Sequence, residues 1–388
     1  MEPDANPAAD LVRQSLVLAV VSRAMLALLV WITLRAVPRL PLYPTQLPDS
    51  FFPRHPALDG WARWDSAHYI AVARYGYGDP RSPSPDGGIG FFPLYPELMR
   101  WAGKLLGQTD SNAGLAIIGL MISLACFLGA TAVFARIAAE TLDLDGARIA
   151  IALFLVAPFA FYYTTVYTES LFVLEVVSAI WFARRQRWWL AAICAAFASA
   201  TRLVGVAVIA GVLWSAFRDR VRLARLVALT LVGISGVVIF FGALWVRFDD
   251  PMAYFNTQAR WGGWDDHVWF YVKLFVIHPR EALQGDARHL VIIGNVLLGL
   301  LALALVPTII RRLDPATAMI SVLLIVGQFA ITWVSLGRYL LPAIGIYLAA
   351  GMLLRDANRF TFRVAVTGLS LMSMTGLAML YALGFWVV

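Results

Sequence analysis

The run Ala113-Gly-Leu-Ala-Ile-Ile-Gly-Leu-Met-Ile-Ser-Leu-Ala-Cys-Phe-Leu-Gly-Ala-Thr-Ala-Val-Phe-Ala135 extends 23 residues without a charge. About 20 predominantly apolar residues suffice for a helix to cross a bilayer. Backbone groups cannot stay unpaired in hydrocarbon, so such a run is helical. Eight further runs are predominantly apolar: Ser15–Leu34, Ile149–Tyr167, Ser170–Ala183, Leu223–Val246, Leu290–Ile310, Pro315–Leu336, Tyr339–Leu354 and Val364–Val388. None alternates as barrel strands do. The chain as a whole agrees: 60% of its 388 residues are hydrophobic, 14% are charged and the mean hydropathy is +0.73. Soluble chains are nearer about 45–50% apolar and about 25% charged. This excludes a disordered chain, a disulfide-stapled secreted domain and an ordinary cytosolic enzyme.

The net charge of +7 is scattered over short loops, which argues against nucleic acid as a partner. Cys126 and Cys194 lie inside apolar runs, so no disulfide framework is implied. The first apolar run is long and lacks a small-residue cleavage site, so it reads as a retained helix rather than a signal peptide.

The stretch 188–217 is too long for one straight span and too short for two. Basic residues flank both ends: Arg184, Arg185 and Arg187 before it, Arg218, Arg220, Arg222 and Arg225 after it. If basic residues stay cytoplasmic, both ends lie on one side. A re-entrant helix pair with Arg202 at its tip satisfies this. The same rule then puts the N-terminus inside, the C-terminus outside, and about 11 apolar segments between them. The expected fold is thus an all-α polytopic membrane protein, a single domain over 1–388, multi-pass in the cell membrane. Two long extracytoplasmic segments remain, 35–112 and 247–289. Structureless loops of that size are uncommon unless they carry function.

Prolines keep the start of the first segment extended. Asp65, Tyr69 and Val72 then follow helical spacing, His68 shares a helix face with Asp65, and Gly76 is a natural stop. Leu94, Leu98, Trp101 and Leu105 make an apolar stripe, and with Arg100 and Lys104 they suit a helix lying in the membrane interface. A carboxylate beside tryptophans at a membrane surface can act as a general base; alternatively, Asp65 only caps the helix that starts at Ser66.

The motifs Trp64-Asp65-Ser66-Ala67-His68-Tyr69, Tyr75-Gly76-Tyr77 and Phe91-Phe92-Pro93-Leu94-Tyr95-Pro96 resemble the signature of PIG-V-like mannosyltransferases, membrane glycosyltransferases of the GT-C type. Tyr167-Thr168-Glu169-Ser170-Leu171-Phe172, Ala200-Thr201-Arg202-Leu203-Val204-Gly205 and Gly337-Arg338-Tyr339-Leu340-Leu341-Pro342 resemble later elements of that family, in the same order. The resemblance implies a GT-C-like bundle. It implies transfer of mannose from a polyprenyl- or dolichyl-phosphate donor to a hydroxyl on the non-cytoplasmic face. It also implies a catalytic carboxylate on the first outer loop, which here is Asp65. The acceptor class stays open among glycan, glycolipid and protein, and no cofactor is required.

Arg202 and Arg338 are the basic residues expected at the outer ends of otherwise apolar helices. An arginine at such a place needs a partner or a water-filled cavity, and its fork suits phosphate oxygens. The alternatives are that Arg338 snorkels to headgroups and that Arg202 pairs with Glu169 or Glu175. Arg23 reads as a buried polar contact, and Glu97 as a cap or solvated residue of the interfacial helix. Trp64, His68, Tyr69, Glu169 and Tyr339 are the further candidate substrate-binding residues; for Glu169 the competing reading is a carboxylate favoured at a helix N-terminus. In the second outer segment Asp265, Asp266 and His267 are adjacent and cannot all face one ion, so no metal site is expected. Trp261 and Trp264 there suit either a sugar platform or an interfacial aromatic belt. The rival class is a transporter or flippase, which would place ionisable residues at the midplane and show internal repeats.

Overall fold

The computed structural model describes residues 7–38, 52, 56–84, 86–260, 287–331, 335–356, 359–385 and 387. Among these every regular element is a helix. The chain runs through α1 (Pro7–Ala36), a short α2 (Pro56–Asp59), α3 (Ser66–Tyr75), α4 (Leu94–Leu105), α5 (Asn112–Thr141), α6 (Leu144–Val156), α7 (Glu169–Arg184), α8 (Trp188–Thr201) and α9 (Val206–Arg218). It continues through α10 (Leu223–Gly233), α11 (Ser235–Phe248), α12 (Ala253–Arg260), α13 (Ala287–Arg312), α14 (Pro315–Ile331), α15 (Leu336–Tyr339), α16 (Gly345–Leu354) and α17 (Phe360–Ala382). Each expected apolar segment contains a helix. Among the described residues, α1, α5, α13 (from Val291) and α17 are long and apolar enough to span a membrane; α10 and α11 together make a fifth span if read as one.

Several segments expected as continuous spans are broken, and proline or glycine accounts for the breaks. The run Ile149–Tyr167 is helical only to Val156. Pro158 disfavours helical backbone at Ala157, which takes ψ 145°, and the chain resumes as a 3₁₀ turn at Ala160–Thr164. Carbonyls freed by this break would be costly in an apolar interior. Arg23 of α1 answers them: Nη1 donates to the Ala160 carbonyl at 2.7 Å and Nη2 to that of Leu155. The run Leu223–Val246 bends by 48° between Gly233 and Ser235. The run Tyr339–Leu354 turns at Pro342 before α16 begins.

Helix α7 is the centre of the bundle. It is apolar nearly all round, as a fully buried helix should be, and packs on α5, α8, α9 and α14. Its first residue, Glu169, marks one end of the bundle. Its last residue, Arg184, lies at the other, within 3.4 Å of Asp314 at the start of α14. That second end also brings together Arg355 and Asp143 at 3.0 Å and Gln186 and Asp219 at 3.0 Å. The arginine-rich connections therefore collect at the end opposite Glu169.

Helices α8 and α9 pack against each other and are joined at Arg202 and a 3₁₀ turn, Leu203–Gly205. The turn is tight enough that a Cβ on Gly205 would collide with the Ala198 carbonyl. Helix α4 buries Tyr95, Pro96, Met99 and Gly103 and leaves Leu98, Trp101 and Leu105 outside, so the stripe read from the sequence faces away from the protein. Lys104 lies over the Trp101 ring, and Glu97 faces Arg100 at 3.6 Å.

Candidate active site

The turn before α3 is held by two tyrosines distant in sequence. The Tyr167 hydroxyl donates to the Arg63 carbonyl at 3.2 Å and accepts the Asp65 amide at 3.1 Å. The Tyr381 hydroxyl, from the end of α17, donates to the same carbonyl at 3.0 Å and accepts the Arg63 amide at 3.1 Å. Between these anchors Trp64 takes φ 55°, a left-handed conformation that is strained for a bulky side chain. Its indole Nε1 donates to the Phe385 carbonyl at 3.2 Å. Such a conformation persists only where its surroundings over-determine it, and these five hydrogen bonds do so.

The helix-cap reading of Asp65 does not hold: its side chain makes no capping bond to α3. Oδ2 instead accepts Arg338 Nη1 at 3.1 Å. Arg338 itself is buried. Its Nη2 donates to the Tyr339 hydroxyl at 2.8 Å, its Nε lies 3.3 Å from Glu169 Oε1, and its guanidinium faces the rings of Tyr162, Tyr167 and Tyr339. Gly337 makes this approach possible, because a Cβ there would collide with Phe159, and its amide donates to Asn295 Oδ1 at 2.6 Å. Asn295 sits about two turns into α13, so the Arg338 shelf lies roughly 12 Å below the start of that helix.

Glu169 joins the two cations. Oε1 accepts Arg202 Nη1 at 3.0 Å as well as facing Arg338. Of the two candidates for pairing with Arg202, Glu169 is the partner; Glu175 accepts the Thr201 hydroxyl at 2.8 Å instead. Arg202 also stacks over Tyr339, 4.5 Å from the ring centre. The charged side chains thus form a chain, Asp65–Arg338–Glu169–Arg202, with its formal charges balanced. Exposure separates their roles: the Asp65 side chain is 38% exposed, Arg202 16%, Arg338 5% and Glu169 2%. Asp65 is the open carboxylate of the cluster. The second oxygen of Glu169 is buried with no hydrogen-bond partner among the described residues.

His68 lies one turn after Asp65. Its Nδ1 is 2.9 Å from the Ser84 hydroxyl and its ring stacks on Phe91. Burial holds the imidazole below its usual range, against the pull of Asp65 and Asp86. Tyr69 points into the core, edge-on to Phe91, Tyr95 and Tyr167, with its hydroxyl 3.5 Å from that of Thr168. Trp261 and Trp264 lie outside the described residues, as do Asp265, Asp266 and His267. Among the described residues no group of three or more histidine, cysteine or acidic side chains is placed to hold a metal.

The structure therefore gathers Trp64, Asp65, His68, Tyr69, Glu169, Arg202, Arg338 and Tyr339 at one end of the bundle. It adds Tyr162 and Tyr381, which no sequence signal singled out, and Thr168, visible only as a motif letter. Tyr167 was visible only as a motif letter; its role as an anchor of Asp65 appears in three dimensions.

A membrane-embedded helical bundle with an open carboxylate beside one buried and one partly exposed guanidinium has the make-up of a group-transfer enzyme. Residues 36–251 match the family described as mannosyltransferase (PIG-V), which is more than half of the chain, and the protein belongs to that family: it is a membrane mannosyltransferase. No curated protein and no solved structure matches the chain. The matched segment contains Asp65, Glu169 and Arg202; Arg338, Tyr339 and Tyr381 come from beyond it and pack onto it.

Proposed function

We propose that the enzyme moves mannose from a polyprenyl-phosphate donor to an acceptor hydroxyl on the extracytoplasmic face, with inversion and with Asp65 as general base. The observation that carries this reading is the 3.1 Å contact between the open carboxylate of Asp65 and the buried guanidinium of Arg338.

Asp65 takes the acceptor proton as the acceptor oxygen bonds to the sugar carbon. The bond from that carbon to the phosphate oxygen breaks, and the lipid phosphate leaves as an anion. Phosphate is already a good leaving group, so a single base suffices, contributing about 10²–10⁴ in rate. Arg338 and Arg202 receive the phosphate, where fixed cations facing developing negative charge act most strongly. Their positions on either side of Glu169 Oε1 support a shared anion site. A phosphate arriving at Arg338 competes with Asp65 for Nη1 and would free the carboxylate to meet the acceptor hydroxyl.

Orientation rests on the arginine-rich connections, which collect at the far end of α7 and follow the positive-inside rule. A transporter reading is disfavoured, because the ionisable cluster gathers at one end of the bundle rather than at its midplane. The deciding experiment is transfer of labelled mannose from polyprenyl-phosphate mannose in membranes with and without the protein, with product identification. Unchanged labelling in its presence would rule the donor out.

A further inference from the structure

A cavity of about 350 Å³ lies between the loop 78–90 and α12. The loop is closed by its own backbone, with the Gly78 amide donating to the Gly87 carbonyl at 2.9 Å. Gly78 takes φ 63°, and a Cβ there would strike the ring of Phe248. Only glycine lets that aromatic face lie directly against the loop. Helix α12 is tied to the other end of the loop by Gln258, whose Nε2 donates to the Gly90 carbonyl at 3.0 Å.

The polar lining is mixed. Asp86 and Arg260 face each other at 3.5 Å, and Asn256 and Thr257 add an amide and a hydroxyl. Thr257 is 4% exposed and lines the cavity. Carboxylate, amide, hydroxyl and guanidinium beside one aromatic ring make a donor–acceptor set for a polyhydroxylated ring. The two carboxylates, Asp86 and Asp250, outnumber the one guanidinium and disfavour an anion. The volume lies in the range of small-ligand pockets, about 300–1,000 Å³.

The cavity adjoins the cluster around Asp65 from two sides. Ser84, on the inner face of the loop, meets His68. Tyr254, one turn before Thr257 on α12, packs edge-on to Phe92 and lies within electrostatic reach of Arg202 and Tyr339.

We propose that this cavity is a saccharide subsite that holds the neutral sugar portion of the acceptor while its hydroxyl reaches Asp65. The assignment rests on the mannosyl-transfer reading above, and its test is kept separate from turnover. Full-length protein in lipid nanodiscs is probed by saturation-transfer NMR with methyl α-mannoside, methyl α-glucoside and methyl β-galactoside. The wild type and Asp65→Asn are expected to bind at least one of these equally. Thr257→Val and Arg260→Ala are each expected to weaken that binding at least tenfold; Arg260 is 70% exposed, so its removal leaves the fold intact. Binding unaffected in both variants, or no binding to the wild type, overturns the subsite. Mannose transfer is assayed in parallel on the same samples. Transfer by the wild type with unaltered binding in the variants would sink the subsite alone, whereas intact saccharide binding without transfer would sink the parent reading alone.

Discussion

The Tyr381 hydroxyl grips the backbone of Arg63 at both polar atoms, donating to its carbonyl at 3.0 Å and accepting its amide at 3.1 Å. These residues lie 318 positions apart. The final helix thereby fixes the turn that presents Asp65, and Tyr167, two residues before α7, fixes it from a second side.

Tyr381→Phe removes both bonds and keeps the ring. The Arg63 carbonyl retains Tyr167, so the expected loss of stability is modest, about 1 kcal/mol. The strained Trp64 turn loses one of its two anchors, and Asp65 drifts from its place. A fall in kcat of roughly tenfold with unchanged donor KM is expected, since misplaced groups act on rate more than on binding. A rise in donor KM at constant kcat would show that Tyr381 serves the donor site instead.

Arg338 and Arg202 are separable by their burial. Arg338→Ala takes a cation from two carboxylates and leaves Glu169 in the interior with one partner. Breaking a buried pair costs about 3–5 kcal/mol; the half-open Asp65 contact adds little, because water screens it. Thermal unfolding in detergent should move down clearly for Arg338→Ala. Steady-state kinetics should show donor KM raised more than acceptor KM in both Arg338→Ala and Arg202→Ala. Equal effects on the two substrates would speak against a phosphate role.

His68 gives a pH signature. Burial lowers its pKa below the usual value of about 6.5, so the folded state binds the proton less readily than the unfolded state. Its contribution to stability is complete above about pH 6.5 and is lost as pH falls toward the lowered value. The melting temperature should drop between pH 7 and pH 5 more steeply for the wild type than for His68→Phe, which keeps a ring against Phe91 without a titrating group. Parallel curves would show that His68 does not titrate in this range.

Much of this arrangement could be read from local sequence. Uninterrupted apolar runs fix helices, because hydrocarbon leaves the backbone no other option, and arginine between basic-flanked runs marks the α8–α9 tip. Asp65, Glu169, Arg202 and Arg338 stand out as charges against that background. Two things were not legible. The breaks at Pro158 and Pro342 lie inside apolar runs, where hydropathy continues although the helix does not. Only Arg23, reaching from α1 to the carbonyls of Leu155 and Ala160, shows how the first break is tolerated. The tyrosine anchors were hidden for a related reason: a lone tyrosine such as Tyr381 in an apolar helix looks like packing until its hydroxyl is seen on a backbone 318 positions away. The helix-cap alternative for Asp65 failed because Arg338, an ion-pair partner remote in sequence, competes for the carboxylate better than the α3 amides do.

The central claim is that the Asp65 carboxylate removes the acceptor proton. Asp65→Asn keeps the size of the side chain and an oxygen for Arg338 but abolishes the base. Single-turnover transfer of labelled mannose, with protein folding checked by melting temperature, measures the consequence. A loss of at least about 10²-fold in a folded enzyme that still binds donor is the predicted result. Transfer at the wild-type rate by folded Asp65→Asn would contradict the account.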